Sequence, residues 1–216
     1  GNKNAEAFTI NLLAKFYLKS DLDKSIDLSK QALNIAKDNK NQKEEAEALK
    51  NTGGYYSKIN KYDLAIDFYQ KSLTLKEKRD DKQGCADLLY NIGYMNVKLS
   101  NFKVAIEYYI QAKSIYKIIN NLKEVAGMEV KIGNIYFSQG DYEAASKFYN
   151  SSLKTSAELK DSLKLGDSYQ MLGVLYHEWG DYEKAIECYQ KSLNYFEKLK
   201  HTQGIANNYI NIGLVY

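Results

Sequence analysis

Residues 171–193 read Met171-Leu172-Gly173-Val174-Leu175-Tyr176, then His177-Glu178-Trp179, then Gly180-Asp181-Tyr182-Glu183-Lys184-Ala185-Ile186-Glu187-Cys188-Tyr189-Gln190-Lys191-Ser192-Leu193. A Gly-Asp pair divides this stretch into two runs in which apolar residues return every three or four positions, the spacing of a helix stripe. At the division, glycine takes the left-handed conformation that ends one helix, and the aspartate carboxylate accepts backbone amides that open the next. The stretch therefore predicts two helices joined by a tight turn.

Stepping outward along the chain finds the same pattern again. Gly53, Gly93, Gly133, Gly173 and Gly213 are spaced by 40 without an insertion. Twelve positions after the first four stand Ala65, Ala105, Ala145 and Ala185, and sixteen after stand Tyr69, Tyr109, Tyr149 and Tyr189. Tyr56, Tyr136, Tyr176 and Tyr216 follow the glycine by three, with Asn96 in the remaining slot, and Tyr62, Phe102, Tyr142 and Tyr182 follow by nine. More than half of the 20 tyrosines thus belong to repeat slots, so the tyrosine richness is architectural before it is functional. A glycine in mid-helix costs about 1 kcal/mol relative to alanine, and its regular return implies a close approach of helices. Gly133 and Ala145 are expected where the two helices of one repeat cross, with Tyr136 and Tyr149 filling the space toward neighbouring repeats. At the turn slot of Gly140 and Gly180 stand Asn60, Ser100 and Ser20 in other repeats, and of these only asparagine tolerates the left-handed conformation nearly as well.

This pattern, strongest over Met171–Leu193, resembles the tetratricopeptide repeat, and the match covers nearly the whole chain. Two departures stand out. The usual period is about 34, and the proline that commonly follows the second helix is replaced by Glu77, Lys117, Ala157 and Glu197. The longer form is similar to the repeats of kinesin light chains, spindle-orientation adaptors and bacterial peptide-responsive regulators. The resemblance implies an all-α fold, a right-handed α-solenoid of antiparallel helix pairs, as one domain over residues 1–216. Its repeats fall at 3–40 (degenerate, with Leu13 in the glycine slot), 42–80, 82–120, 122–160 and 162–200, followed by a half repeat at 202–216 that stops after one helix. That stop reads as the end of a fragment.

Composition agrees and narrows the function. Proline is absent, 44% of residues are hydrophobic and 26% are charged, which excludes collagen-like, proline-rich and disordered classes. A net charge of +3 gives no ground for nucleic acid as a partner. No apolar run approaches the roughly 18 residues of a membrane helix, and no signal peptide opens the chain, so membrane insertion is not expected and a cytoplasmic location is. Cys85 and Cys188 lack a CxxC partner, and His177 and His201 share no ligand spacing, so no metal, cofactor or disulfide framework is expected. Both cysteines read as small buried hydrophobes.

In solenoids of this kind the first helices line a concave groove that holds an extended peptide or a partner's helix. Counting from each glycine, the outward positions select Lys50 and Asn51, then Tyr90, Asn91 and Tyr94, then Lys131, Asn134 and Phe137, then Gln170 and His177. Asn11, Asn51, Asn91 and Asn211 form a series two residues before the glycine slot; an amide donates and accepts together, which suits a peptide backbone. Lys50, Asn91 and Lys131 lie near slots that in chaperone-binding relatives clamp a terminal carboxylate, but Gly54 and Gly127 stand where asparagine and lysine belong, so solvated lysines are the simpler reading. No catalytic residues are expected: His177 and Glu178, as helix neighbours, point about 100° apart, and Trp179 reads as a buried anchor. The expected function is a non-enzymatic protein- or peptide-binding scaffold. The alternative is a regulatory segment of a larger signalling protein (sensor kinase, nucleotide cyclase or transcription regulator), and a third reading is self-association through the uncovered last helix.

Overall fold

The computed structural model describes residues 2–216, and among these it contains eleven α-helices and no strand. They are α1 (Lys3–Tyr17), α2 (Leu22–Asp38), α3 (Gln42–Lys58), α4 (Tyr62–Lys78), α5 (Lys82–Lys98), α6 (Phe102–Ile118), α7 (Leu122–Ser138), α8 (Tyr142–Glu158), α9 (Ser162–Glu178), α10 (Tyr182–Lys198) and α11 (Thr202–Val215). Their packing divides the chain into two compact units, an N-terminal one reaching to Ile115 and a C-terminal one, Tyr116–Tyr216.

The turns that follow α2 to α10 share one geometry. Lys40, Asn60, Asp80, Ser100, Asn120, Lys160 and Lys200 have φ between 52° and 60°, and Gly140 and Gly180 have 76° and 82°. After each of these residues an amide reaches back five positions, as from Asn41 to the Ala36 carbonyl at 2.8 Å and from Asp181 to the Tyr176 carbonyl at 2.8 Å, the hydrogen bond of a Schellman end. Ser100 therefore adopts the left-handed conformation that serine disfavours, and so do Lys40, Lys160 and Lys200, whereas asparagine and aspartate tolerate it better. The turn bond, 2.8 Å from the Asn101 amide to the Asn96 carbonyl after Ser100, offsets a cost of about 1–2 kcal/mol. Ser20 does not follow: α1 ends early, and the Asp21 amide reaches the Tyr17 carbonyl at 2.7 Å. Capping Asp or Asn side chains open most of the helices, among them Asp81, Asp141 and Asp181, and α11 is opened by the His201 Nδ1, which accepts from the Gly204 amide at 3.1 Å.

Within each repeat the glycine makes room for a ring. A Cβ at Gly53 would lie 2.7 Å from the Tyr69 ring, at Gly93 2.7 Å from Tyr109, and at Gly133 2.6 Å from Tyr149. Gly173 meets Tyr189 in the same way. Tyr149 thus lies across the glycine of its own repeat rather than only in the space toward the next, as the spacing suggests. Ala65, Ala105, Ala145 and Ala185 are fully buried. Gly213 has no residue within 4 Å of its would-be Cβ among the described residues. Hydroxyls tie the helices of a repeat further: Ser72, Ser152 and Ser192 donate to the carbonyls of Ala46, Ala126 and Gly166 at 2.7, 3.2 and 2.8 Å. Cys85 and Cys188 are buried free thiols, and burial pushes the Cys188 thiol up to about 11.

Between successive repeats one buried place is filled differently each time, by Ala36, Lys76, Tyr116, Ser156 and Phe196, and two of these fillings contrast most. In the C-terminal unit the Phe196 ring is fully buried; a Cβ at Gly166 would come within 2.7 Å of it, and one at Gly204 would collide with its other edge. In the N-terminal unit Lys76 holds the equivalent position. Its side chain is only 8% exposed, and Nζ lies 2.6 Å from Glu47 Oε1 and 2.7 Å from Asp81 Oδ2. Glu47 also pairs with Lys50 at 2.5 Å. Burial alone would raise the Glu47 carboxyl, but the two ammonium groups outweigh it and hold it below its ordinary value; Asp81 is lowered against the same penalty, and Lys76 is raised.

Candidate functional site

In the C-terminal unit the first helices of successive repeats, α7, α9 and α11, border a cavity of about 370 Å³. Its wall carries Asn134 and Phe137 from α7, Gln170, Met171 and Val174 from α9, and Asn207, Ile210 and Asn211 from α11, with Tyr149 of α8 behind. No formally charged side chain lines it. Four amides beside an apolar surface can donate and accept hydrogen bonds around a space that carries no formal charge. The Tyr149 hydroxyl donates to Asn134 Oδ1 at 2.7 Å, which fixes that amide with its NH₂ outward; burial pushes the phenol up to about 12, so it stays a donor. A second recess of about 320 Å³ shares Gln170 and Met171 and adds Val130, Lys131, Lys164 and Asp167. Lys164 and Asp167 form only a loose pair at 3.7 Å.

Asn134, Phe137, Gln170 and Asn211 therefore come together, and Lys131 joins them through the recess that Gln170 shares. His177 lines neither recess. Its ring lies 5.8 Å from Tyr182, and its Nδ1 reaches Glu178 Oε1 at 3.5 Å, so the two side chains bend toward each other despite their diverging directions on the helix. Trp179 is not the buried anchor expected of it: it is 47% exposed and stacked on Tyr176 with ring centroids 6.2 Å apart.

The remaining residues lie in the N-terminal unit. Asn11 and Asn51 are buried between α1 and α3. The Asn11 amide donates to the Glu44 carbonyl and to Glu44 Oε2, both at 2.9 Å, and the Asn51 amide donates to the Asn11 carbonyl at 3.0 Å. These amides bond helix to helix at the floor of a small recess of about 160 Å³. Lys50 is held by Glu47, Asn91 is half-buried, and Tyr90 stacks on Tyr94 at 6.4 Å and on Tyr109 at 5.9 Å. Lys98 lies over the exposed Tyr94 ring at 5.3 Å. Sequence reasoning missed Asn207 and Ile210, although Asn207 lies one turn before Asn211 on the same stripe of α11.

One tetratricopeptide repeat model matches residues 6–78 and 124–198, and a second matches residues 86–118. The chain belongs to the tetratricopeptide repeat family. Among curated proteins none matches it significantly. Solved structures do. RapI in its apo form has a TM-score of 0.89 at 18% identity, covering 100% of this chain and 60% of that one. A Rap protein complexed with competence and sporulation factor has 0.69 at 18%, covering 100% and 64%. BtubC from P. vanneervenii has 0.79 at 21%, covering 92% and 82%. At such identities the likeness concerns the fold. This tetratricopeptide repeat chain spans less than two thirds of either Rap structure. Among its described residues no helix is long and apolar enough to cross a membrane.

Proposed function

We propose that this tetratricopeptide repeat chain is a non-enzymatic scaffold that binds an extended peptide along its first helices. The observation that carries the reading is the uncharged cavity between α7, α9 and α11, where Asn134, Gln170, Asn207 and Asn211 present amides around Phe137, Met171 and Ile210. Amides at that spacing meet a peptide backbone, and the apolar surface takes one of its side chains. The Rap structure bound to competence and sporulation factor supports a ligand of this class by analogy of fold. The test is selection of binding peptides from a random display library, followed by titration calorimetry. Replacing Gln170 and Asn211 together by alanine should weaken a selected peptide about tenfold, the value of one or two hydrogen bonds made to an uncharged backbone. Unchanged affinity would move the site elsewhere.

A second reading, the regulatory segment of a larger signalling protein, is favoured by the greater length of both Rap structures. It predicts that a selected peptide alters the activity of an effector domain joined to the chain in its natural polypeptide.

A further inference from the structure

The turns that join α7 to α8 and α9 to α10 carry a row of rings outside the groove. Trp179 and Tyr176 stack with planes 2° apart, and Tyr142 lies 6.3 Å from Trp179. Trp179 is 47% and Tyr182 54% exposed, and a recess of about 530 Å³ opens between residues 179 and 184. Large rings held in water at one edge, braced on one another, are the kind of surface a partner covers.

Charge selects that partner. Asp181 and Glu183 line the recess with Trp179 and Tyr182, and Glu178, exposed, precedes Trp179 in the chain, with Asp141 exposed on the adjacent turn. One ammonium is already accommodated: Lys184 Nζ lies 2.6 Å from Asp181 Oδ2 and 5.5 Å from the Tyr176 ring centroid. A cation between a π face and a carboxylate is the geometry that a lysine or arginine from outside would repeat over Trp179. The corresponding turns of the N-terminal unit differ: that from α5 to α6 carries Lys98 and Lys103 and no acid, that from α3 to α4 carries Lys58 and Lys61 beside Asp63, that from α1 to α2 carries Asp21 and Asp23 beside Lys19 and Lys24, and none carries a tryptophan. We propose that the edge formed by Trp179, Tyr182 and the three carboxylates is a docking surface for a basic segment of a partner protein. Arginine or lysine side chains would lie over the rings and pair with Glu178, Asp181 and Glu183. Phosphate-bearing partners are repelled by the same carboxylates.

Trp179 is the only tryptophan, so its emission reports this edge directly. The probe is an acetylated, amidated decapeptide of alternating arginine and leucine, with a twin carrying glutamate for arginine. The arginine peptide should change Trp179 emission saturably, with affinity falling as salt rises from about 50 to 300 mM. The variant Glu178→Gln/Asp181→Asn/Glu183→Gln, which keeps an asparagine cap on α10, should weaken it about tenfold while the thermal melt stays cooperative. Gln170→Ala in the groove should leave it unchanged, which separates this edge from the peptide site. No saturable response, an equal response to the glutamate twin, or an affinity indifferent to the triple variant would overturn the proposal. So would sedimentation showing self-association of the free chain that the triple variant abolishes, because a second copy would then be the occupant.

Discussion

Lys76 and Phe196 stand at the same place in two repeats, and the molecule fills that place in opposite ways. In the C-terminal unit a ring is clamped between Gly166 and Gly204; in the N-terminal unit an ammonium is held by Glu47 and Asp81, with Gly84 making room for its stem. Ala36, Tyr116 and Ser156 hold the same place in the other repeats. The repeat frame therefore buries this position and leaves both the size and the chemistry of the filling open; opposite Lys76 and Phe196 stands a glycine. The two fillings should fail differently. A ring stabilises through shape, which neither pH nor salt alters, whereas an ion network depends on the charge of each member.

The largest effect that would expose this difference is Phe196→Ala. Truncating a fully buried ring between two glycines should cost about 3–5 kcal/mol, read as a loss of melting temperature in the C-terminal unit by hydrogen exchange and circular dichroism. Next comes the paired substitution of the facing glycines. Gly204→Ala drives a methyl into the rigid ring and should cost about 1–3 kcal/mol, whereas Gly84→Ala meets Lys76 and Asp81 atoms that can swing aside and should cost less. Equal melts for the two would erase the contrast. The smallest effect at neutral pH belongs to Lys76→Met. Glu47 keeps Lys50, Asp81 is partly solvated, and the apolar replacement fits the space, so the change should stay within about 1 kcal/mol.

Acid and base separate that variant from the native chain more sharply. Burial opposes the charged forms of Glu47 and Asp81, but their ammonium partners lower both pKa values. Their contribution is therefore present above the unfolded carboxylate values and is lost as pH falls through the lowered folded ones, below about pH 4. Lys76, raised by its carboxylates against burial, contributes below its unfolded value and loses that contribution as pH rises beyond about 10. Denaturant midpoints of the native chain should fall more steeply than those of Lys76→Met at both extremes, and parallel profiles would show that the network is stabilised by something other than its charges.

The helix pairs were legible because Gly53, Gly93, Gly133 and Gly173 each cost helix stability and so announce a packing partner sixteen positions on. The left-handed turns at Lys40, Ser100, Lys160 and Lys200 were not, since none of these residues favours that conformation and only the hydrogen bonds of the surrounding turn impose it. The candidate site was legible in part. Counting from the glycine picks out Asn134, Gln170 and Asn211, which border one cavity, but the same count does not tell that Asn11 and Asn51 turn their amides into the neighbouring helix. A modest rotation about the helix axis separates a side chain that faces a groove from one that bridges its rim, and residue spacing does not resolve it. Trp179 misleads because a large ring near a helix end suggests burial, while its surroundings here are two further rings and water.

The uniform turn has a consequence for how such a chain can change in length. From α2 to α10 the helices are equally long and every connection is closed by the same backbone hydrogen bond, so cutting or joining at any two turns one full repeat apart leaves each junction chemically as it was. Recombination in register at the gene level would then add or delete whole layers without creating a single new loop. The number of layers is thereby set free from the problem of refolding the connections.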